Sequence, residues 1–429
     1  MDKIKKLWLA FSRKERIFLF FAMVCGFLIS ADYAIIRPSS QSLFVHFFGS
    51  KTLPYVWMCS IPFNLMIVSL YNYFLPKVGC FRFFLFSAIL IVTGNTLAGF
   101  FIGQIPLVSF SFYIWKEVYI LLMFQQVWAV IHATVSLEKA KYLYGVLFGF
   151  GALGGFLGSL VPGFLAVFMG SESLLFFSAP LYFLLVMAYS GLMKYSGGKE
   201  KVSSKQTKPF GSLAEGAKLI TASFLLKAIL GMTVCMQVAA TLVDFQFQSL
   251  LEKGFPDKDI RTQCVGQLVS LGNILTMGLQ FFGTFLCIRL LGLQRAHFLV
   301  PIVLSMGALC FLFSSSFSVM ATFFVTLKAL EFSLFLVIKE MLYIPMRLEE
   351  KFQAKAIIDV FMGRFAKIGA SLVIVFSQFF FPSYISPFIS WLCLGIFLLW
   401  CILVASLKAK YPESLVGEKL EQHSTLGVK

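Results

Sequence analysis

The sequence predicts an all-α integral membrane protein with twelve transmembrane helices in two six-helix lobes. Three observations predict it: the composition, twelve long apolar runs, and the placement of basic residues between them. Of 429 residues, 59% are hydrophobic, 52 are Phe and only 13% are charged, with a mean hydropathy of +0.86. A soluble fold of this length carries far more charge. The apolar runs fall at about 17–36, 54–74, 80–103, 107–133, 143–168, 173–193, 222–243, 263–288, 296–315, 318–338, 357–381 and 386–407. Each reaches the ~20 residues that a helix needs to cross a hydrocarbon core.

The loops set the orientation. The N-terminus, 75–82, 134–142, 194–221, 289–295, 339–356 and the C-terminal tail hold 26 of the 36 Lys and Arg residues. The alternate segments hold five: Arg37, Lys51, Lys253, Lys258 and Arg261. Both termini are therefore expected to be cytoplasmic, and this agreement along the chain supports the count of twelve. The net charge of +16 is spread over short juxtamembrane loops, which argues against nucleic-acid binding. The first apolar run is too long for a signal peptide and no A-x-A-like site follows it, so it reads as an uncleaved helix. The lack of an Arg- and Ser-rich transit extension points to a bacterial inner membrane. Nine scattered cysteines form no CxxC pair, so neither a disulfide framework, a metal site nor a cofactor is expected.

The longest polar interruption, KYSGGKEKVSSKQTKPFGSLAEGAKLIT, divides the chain into an N-terminal lobe (1–193), a cytoplasmic linker (194–221), a C-terminal lobe (222–407) and a cytoplasmic tail (408–429). A flexible tether between six spans and six suits two lobes rocking around a site near the midplane. Gly149-Phe150-Gly151-Ala152-Leu153-Gly154 matches G-x-G-x-x-G but lies within an apolar span with no preceding strand, so it reads as close helix packing. Gly151/Gly155 and Gly154/Gly158 are small-xxx-small pairs. No GxxxxGK[ST] loop occurs, which points to a secondary transporter. The sequence has no Ser/His/Asp set or metal-ligand cluster of an enzyme.

Charges inside the spans mark the candidate site, because an unpaired charge at the midplane costs at least ~2.5 kcal/mol. Lys116, Lys227, Lys328, Arg364 and Lys367 are the intramembrane cations; Asp32, Glu117, Glu331 and Asp359 are the acids, with Asp244 at a helix end. Lys227 sits where it can snorkel, and Lys328 and Glu331 are spaced to neutralise one another. Arg364 and Lys367 share a face one turn apart and repel unless an anion or acid sits between them. Arg37 precedes Pro38, which predicts a non-helical exit there. Lys116 and Glu117 point about 100° apart, which predicts no simple ion pair between them and at least one facing a cavity.

The segment KEMLYIPMRLEEKFQAKAIIDVFMGRFAKIGAS at 339–371 resembles the signature of the ATP/ADP translocase family of plastids and intracellular bacteria. LEKAKYLYGVLFGFGA at 137–152 and RPSSQSLFVHFFGSKTLP at 37–54 resemble two further family segments. The resemblance spans both halves and implies a major-facilitator-like fold that carries nucleotides, mostly exchanging ATP for ADP, with some members importing nucleotides with protons. It places the family's charged positions at Glu117, Asp244 and Lys355. The Lys-Asp of the family's R-x-x-K-D is Ser40-Gln41 here.

The expected function is nucleotide transport, by ATP/ADP exchange or nucleotide import, with Arg37, Lys116, Lys355, Arg364 and Lys367 holding the anion and Glu117 and Asp244 in gating or coupling. The alternatives are a proton-coupled carrier of another solute, with Asp32 and Glu117 relaying protons, and a transport-inactive membrane protein. The expected partners are a nucleotide (ATP or ADP) or a related phosphorylated small molecule and the lipid bilayer, with no obligate protein partner.

Overall fold

A computed structural model of the chain describes residues 12–135, 137–196, 213–343, 354–355, 357–358 and 362–410. These residues are helical almost throughout. Two compact units emerge: the first comprises Met1–Thr52, Cys59–Thr207 and Phe255–Asn273, and the second Leu53–Met58, Lys208–Gly254 and Ile274–Lys429.

The helices of the first half are α1 (Arg13–Phe48), α2 (Leu53–Val78), α3 (Cys80–Phe101), α4 (Pro106–Thr134), α5 (Leu137–Met169) and α6 (Ser178–Tyr195). Helix α1 starts with a capping box: Glu15 N–H donates to Ser12 Oγ, and Ser12 N–H donates to Glu15 Oε2. This satisfies two amides that the first turn leaves without intrahelical partners. Contrary to the exit expected at Pro38, α1 runs through that residue to Phe48, where Gly49 (φ 73°) ends it. Every residue from Pro38 to Val45 is buried. Proline breaks helices in water, but packed neighbours hold one together inside a membrane protein.

Helix α1 packs against α4, α5 and α6 in the first unit. The small-xxx-small pairs explain the closest of these contacts. A Cβ at Gly154 would run into the Phe27 carbonyl, and one at Gly158 into the Ala31 carbonyl, so only glycine lets the two backbones approach this far. Aromatics fill the remaining core, with Phe84 stacked on Tyr189 at 3.6 Å. Gly158→Leu is expected to cost about 3 kcal/mol, the upper end for overpacking, because backbone cannot yield as a side chain can, and to lower both folded yield and the melting temperature of purified protein. An unchanged melting temperature would show that α1 and α5 are not held in this contact.

The later helices are α7 (Leu213–Ala222), α8 (Phe224–Gly254), α9 (Lys258–Gly278), α10 (Thr284–Leu291), α11 (Leu293–Phe313), α12 (Phe317–Leu330), α13 (Leu336–Leu342), α14 (Gly363–Phe380) and α15 (Ile385–Lys410). Helix α7 occupies the end of the expected linker; residues 197–212 lie outside the described part. Two π turns, Leu279–Gly283 and Glu331–Phe335, bridge α9 to α10 and α12 to α13. Gln280 Nε2–H donates to the Phe332 carbonyl at 2.8 Å and so ties one π turn to the other. In the second unit, Phe247 stacks on Phe324 at 4.2 Å, and Gln246 anchors α15 through the Ser386 carbonyl and Ser390 Oγ.

Eleven helices among the described residues are long and apolar enough to span a membrane, against the twelve expected. The span that falls short is 263–288. It is helical, but Gln263, Gln267, Ser270, Asn273 and Thr276 dilute its hydropathy, and the π turn at 279–283 interrupts it.

Polar residues of α9 face α5 within the first unit. Gly155, Ser159 and Gly163 on α5 and Thr262, Gly266 and Ser270 on α9 each repeat at four-residue spacing. A Cβ at Gly266 would lie 2.5 Å from the Gly163 nitrogen. Ser159 Oγ–H donates to Ser270 Oγ at 3.1 Å, and Gln267 Nε2–H to the Gly163 carbonyl at 3.0 Å. At the end of this seam Ser171 donates its N–H and Oγ–H to Asp259 Oδ1 at 2.7 and 2.6 Å, and Lys258 pairs with Glu172.

Candidate functional site

In the first unit the charges expected from sequence are partnered. The buried Lys116 ammonium lies 3.4 Å from Glu117 Oε1 and 3.8 Å from the centre of the Tyr113 ring. The expectation that these neighbours form no ion pair is therefore corrected. Helical direction separates the two Cα–Cβ bonds, but the four-carbon lysine stem is long enough to bend back, and the Tyr113 ring gives its charge a second partner. Arg37 is half-buried, its guanidinium 5.9 Å from the Tyr33 ring centre.

Asp32 is different. It sits at 1% exposure within α1 and accepts hydrogen bonds from Ser178 Oγ–H at 2.5 Å and Tyr119 Oη–H at 3.0 Å. Asn95 Nδ2–H donates to Ser178 Oγ, and Trp115 Nε1–H donates to Asn95 Oδ1. Four helices thus contribute to one enclosed polar network around a carboxylate.

Sequence reading placed Arg261 in a loop, but the structure buries it at 2% exposure, with Nη2 3.5 Å from the Ser42 carbonyl. That position is on α1 just beyond Ser40 and Gln41, both buried; the hydroxyls of Ser40 and Ser42 have no hydrogen-bond partner among the described residues. Only the three-dimensional packing of Phe255–Asn273 on the first unit reveals this arginine, since in sequence it follows an ordinary polar turn.

The second unit carries a longer polar face. Gln237, Thr241, Asp244 and Gln248 recur on α8 at spacings of four, three and four residues, which puts them on one stripe. Gln237 Nε2–H donates to Glu331 Oε1 at 3.0 Å, while Lys328 Nζ–H donates to Glu331 Oε2 at 2.9 Å. The expected neutralisation of Lys328 by Glu331 is thus present, with Gln237 occupying the second carboxylate oxygen. Glu331 opens the π turn that follows α12, and such turns often mark functional positions. Further along the stripe, Asp244 Oδ1 and Gln248 Nε2 are buried without hydrogen-bond partners among the described residues.

Helix α14 meets this stripe at its first residue: a Cβ on Gly363 would lie 3.7 Å from Gln237 Cγ. Arg364 follows directly, half-buried, and Lys367 one turn later has its ammonium 5.4 Å from the centre of the Trp57 indole ring. Gln237 is therefore the point where α8, α14 and the π turn at Glu331 converge, and Arg364 is the next residue along α14. Lys355 is held 2.7 Å from Glu340 Oε2. Asp359 and much of the 339–371 signature lie outside the described residues. The stripe on α8 was readable as heptad-like polar spacing within an apolar run; its partners were not, because they come from segments about 90 and 130 residues away.

Two cations and a carboxylate-buffered third on adjoining helices can receive a polyanion, while the orphaned Asp244 oxygen can accept from a hydroxyl or amine of the same ligand. Residues 317–411, which include Lys328, Glu331, Arg364 and Lys367, match the family described as TLC ATP/ADP transporter. The chain is 22% identical to ADP,ATP carrier protein 2, chloroplastic, of Arabidopsis thaliana, over 92% of this chain and 75% of that protein. It is 24% identical to ADP,ATP carrier protein 1 of Chlamydia trachomatis, over 81% of this chain and 79% of that one. Among solved structures, a mutant of the nucleoside transporter NupG superposes with a TM-score of 0.67 at 10% identity, covering 91% of this chain and 99% of NupG. The peptide transporter POT in complex with sulfate gives 0.59 at 13% identity, covering 92% and 99%. These two likenesses show that the chain shares their helical fold.

Proposed function

We infer that this chain, a divergent member of the ATP/ADP transporter family, is a secondary carrier of nucleotides that works by alternating access. The observation that carries the reading is the convergence on Gln237 of α8 with the Glu331 π turn and the helix bearing Arg364 and Lys367, the last two of which lie within the segment that matches the family. Arg364 and Lys367 take the phosphates. Asp244 and Gln248 supply a buried acceptor and donor for the nucleoside. The pair Lys328–Glu331 is a reserve cation: when phosphate arrives, Lys328 can turn from the carboxylate to the ligand while Gln237 keeps Glu331 satisfied.

Empty and loaded states both need their charges satisfied, and exchangeable cation–acid pairs provide this. Lys116–Glu117 and Lys355–Glu340 offer the same possibility elsewhere on the pathway. Arg37, within α1 of the first unit, is a further cation for the anion along its path. The two six-helix lobes of the sequence act as the moving bodies, and the bias of basic residues between spans supports cytoplasmic termini, in what we take to be a bacterial inner membrane.

The test is uptake of labelled ATP by intact bacterial cells expressing the protein, followed by a chase with excess unlabelled ADP or ATP. Rapid efflux under chase is the result expected of an exchanger; retention under chase identifies driven import. No uptake, with the protein confirmed in the membrane, overturns the nucleotide assignment.

A further inference from the structure

We propose that Asp32 is the proton-binding site that couples net nucleotide uptake to proton entry, an inference that rests on the nucleotide-carrier reading. Lys116, Lys258, Lys328 and Lys355 pair with carboxylates other than Asp32, whose partners are the Tyr119 and Ser178 hydroxyls. A carboxylate buried in a membrane segment without a countercharge is costly in its ionised form, and taking up a proton removes that cost.

The surroundings favour exchange of a proton over a fixed structural role. Each carboxylate oxygen receives one hydroxyl donor, Ser178 on Oδ1 and Tyr119 on Oδ2, and hydroxyls accept as readily as they donate. When Asp32 binds a proton it donates to Ser178 Oγ, whose own hydrogen rotates away; when it releases the proton, the serine turns back. The reaction is carboxylate plus proton to carboxylic acid, with no other bond changed.

The helices packed around Asp32 face it with few titratable groups. From α4 comes Tyr119; Lys116 lies one turn away but is committed to Glu117 and the Tyr113 ring. From α6 comes Tyr182, whose hydroxyl is buried, has no hydrogen-bond partner among the described residues and interacts electrostatically with Asp32. From α3 comes the neutral Asn95. Residues 146–169 of α5 contain no titratable side chain, and on α1 itself Arg37 lies beyond the next turn, against Tyr33. Charge at this point is therefore governed by Asp32 alone.

The site is also closed: Asn95, Tyr119, Ser178 and Tyr182 are all at most 1% exposed. A proton reaches Asp32 only when the helices around it shift. That requirement links its binding and release to the conformational cycle. The orphaned Tyr182 hydroxyl is the natural relay once such a shift occurs.

Two measurements on the reconstituted full chain test this. The first is a pH-difference infrared spectrum in the carboxyl C=O region, compared between wild type and Asp32→Asn. A titrating carboxyl band that the variant lacks is expected, and Ser178→Ala is expected to keep the band but move its pH midpoint. No Asp32-dependent band overturns the proposal. The second is transport: Asp32→Asn is expected to keep ATP/ADP counterflow while losing at least tenfold in ATP accumulation driven by a pH gradient. Undiminished accumulation, accumulation that follows a sodium gradient, or loss of counterflow together with accumulation in a normally folded variant each overturns it. If wild type moves no nucleotide but the Asp32 band titrates, the nucleotide reading fails and the protonation site stands.

Discussion

Replacing Arg364 and Lys367 together with alanine is expected to lower the transport efficiency for ATP at least a hundredfold while leaving membrane insertion and thermal stability intact. A lysine–phosphate contact at ~4 Å is worth up to about 4 kcal/mol at an effective dielectric of 20. Discounting each cation to ~2 kcal/mol for the water it sheds still leaves a product of hundreds in affinity. Folding is expected to be spared because the convergence of α14 on α8 is made by Gly363 and Gln237, and Lys367 rests against Trp57. Lys367→Arg is expected to recover part of the activity, since it restores charge but not the ammonium's shape. The comparison that isolates the site is Lys227→Ala, an exposed cation at the start of α8, which should transport normally. Wild-type kinetics in the double variant would place phosphate recognition elsewhere in the protein.

Much of this molecule is legible in its sequence, and the exceptions have physical causes. Apolar run length finds the spans because lipid leaves the backbone few alternatives to a helix. The rule fails at 263–288, where Gln267 and Ser270 are polar because they bond to α5 and not because they face water. Pro38 misleads because its helix-breaking strength is a property of solvated chains, whereas here its neighbours on α1 are buried. Candidate charges are found because ionised groups are rare in membranes, and Lys328 with Glu331 is even paired correctly from spacing. Sequence is blind to Gln237 as the holder of Glu331, and to Arg261 beside Ser42, because those contacts join segments 94 and 219 residues apart. The local angle between Lys116 and Glu117 misled for the opposite reason: side-chain length outweighed helical direction.

Oxidative cross-linking of Ser159→Cys to Ser270→Cys is expected to stop transport by at least tenfold, and reductant is expected to restore it. The two hydroxyls are 3.1 Å apart, close enough that cysteine side chains can bridge with small adjustments. The effect follows from the contrast between the two faces of α5. Toward α1, Gly154 and Gly158 press backbone on backbone within a core of large aromatics, a contact suited to permanence. Toward α9, the seam is built of Gly163, Gly266 and hydroxyls, with no interdigitating side chain at its closest point. Hydrogen bonds of this kind in membranes average only ~0.6 kcal/mol each, so the α5–α9 seam can part and re-form. Its polar end, where Asp259 takes two hydrogen bonds from Ser171 and Lys258 meets Glu172, resembles a latch: charged groups lose little when they trade each other for water at a surface. Because the sequence carries nine cysteines, each single variant under the same oxidant supplies the control. A cross-link that forms in high yield and leaves ATP/ADP exchange unaffected would mean that α5 and α9 move as one body throughout the cycle, and access would then have to alternate along some other boundary.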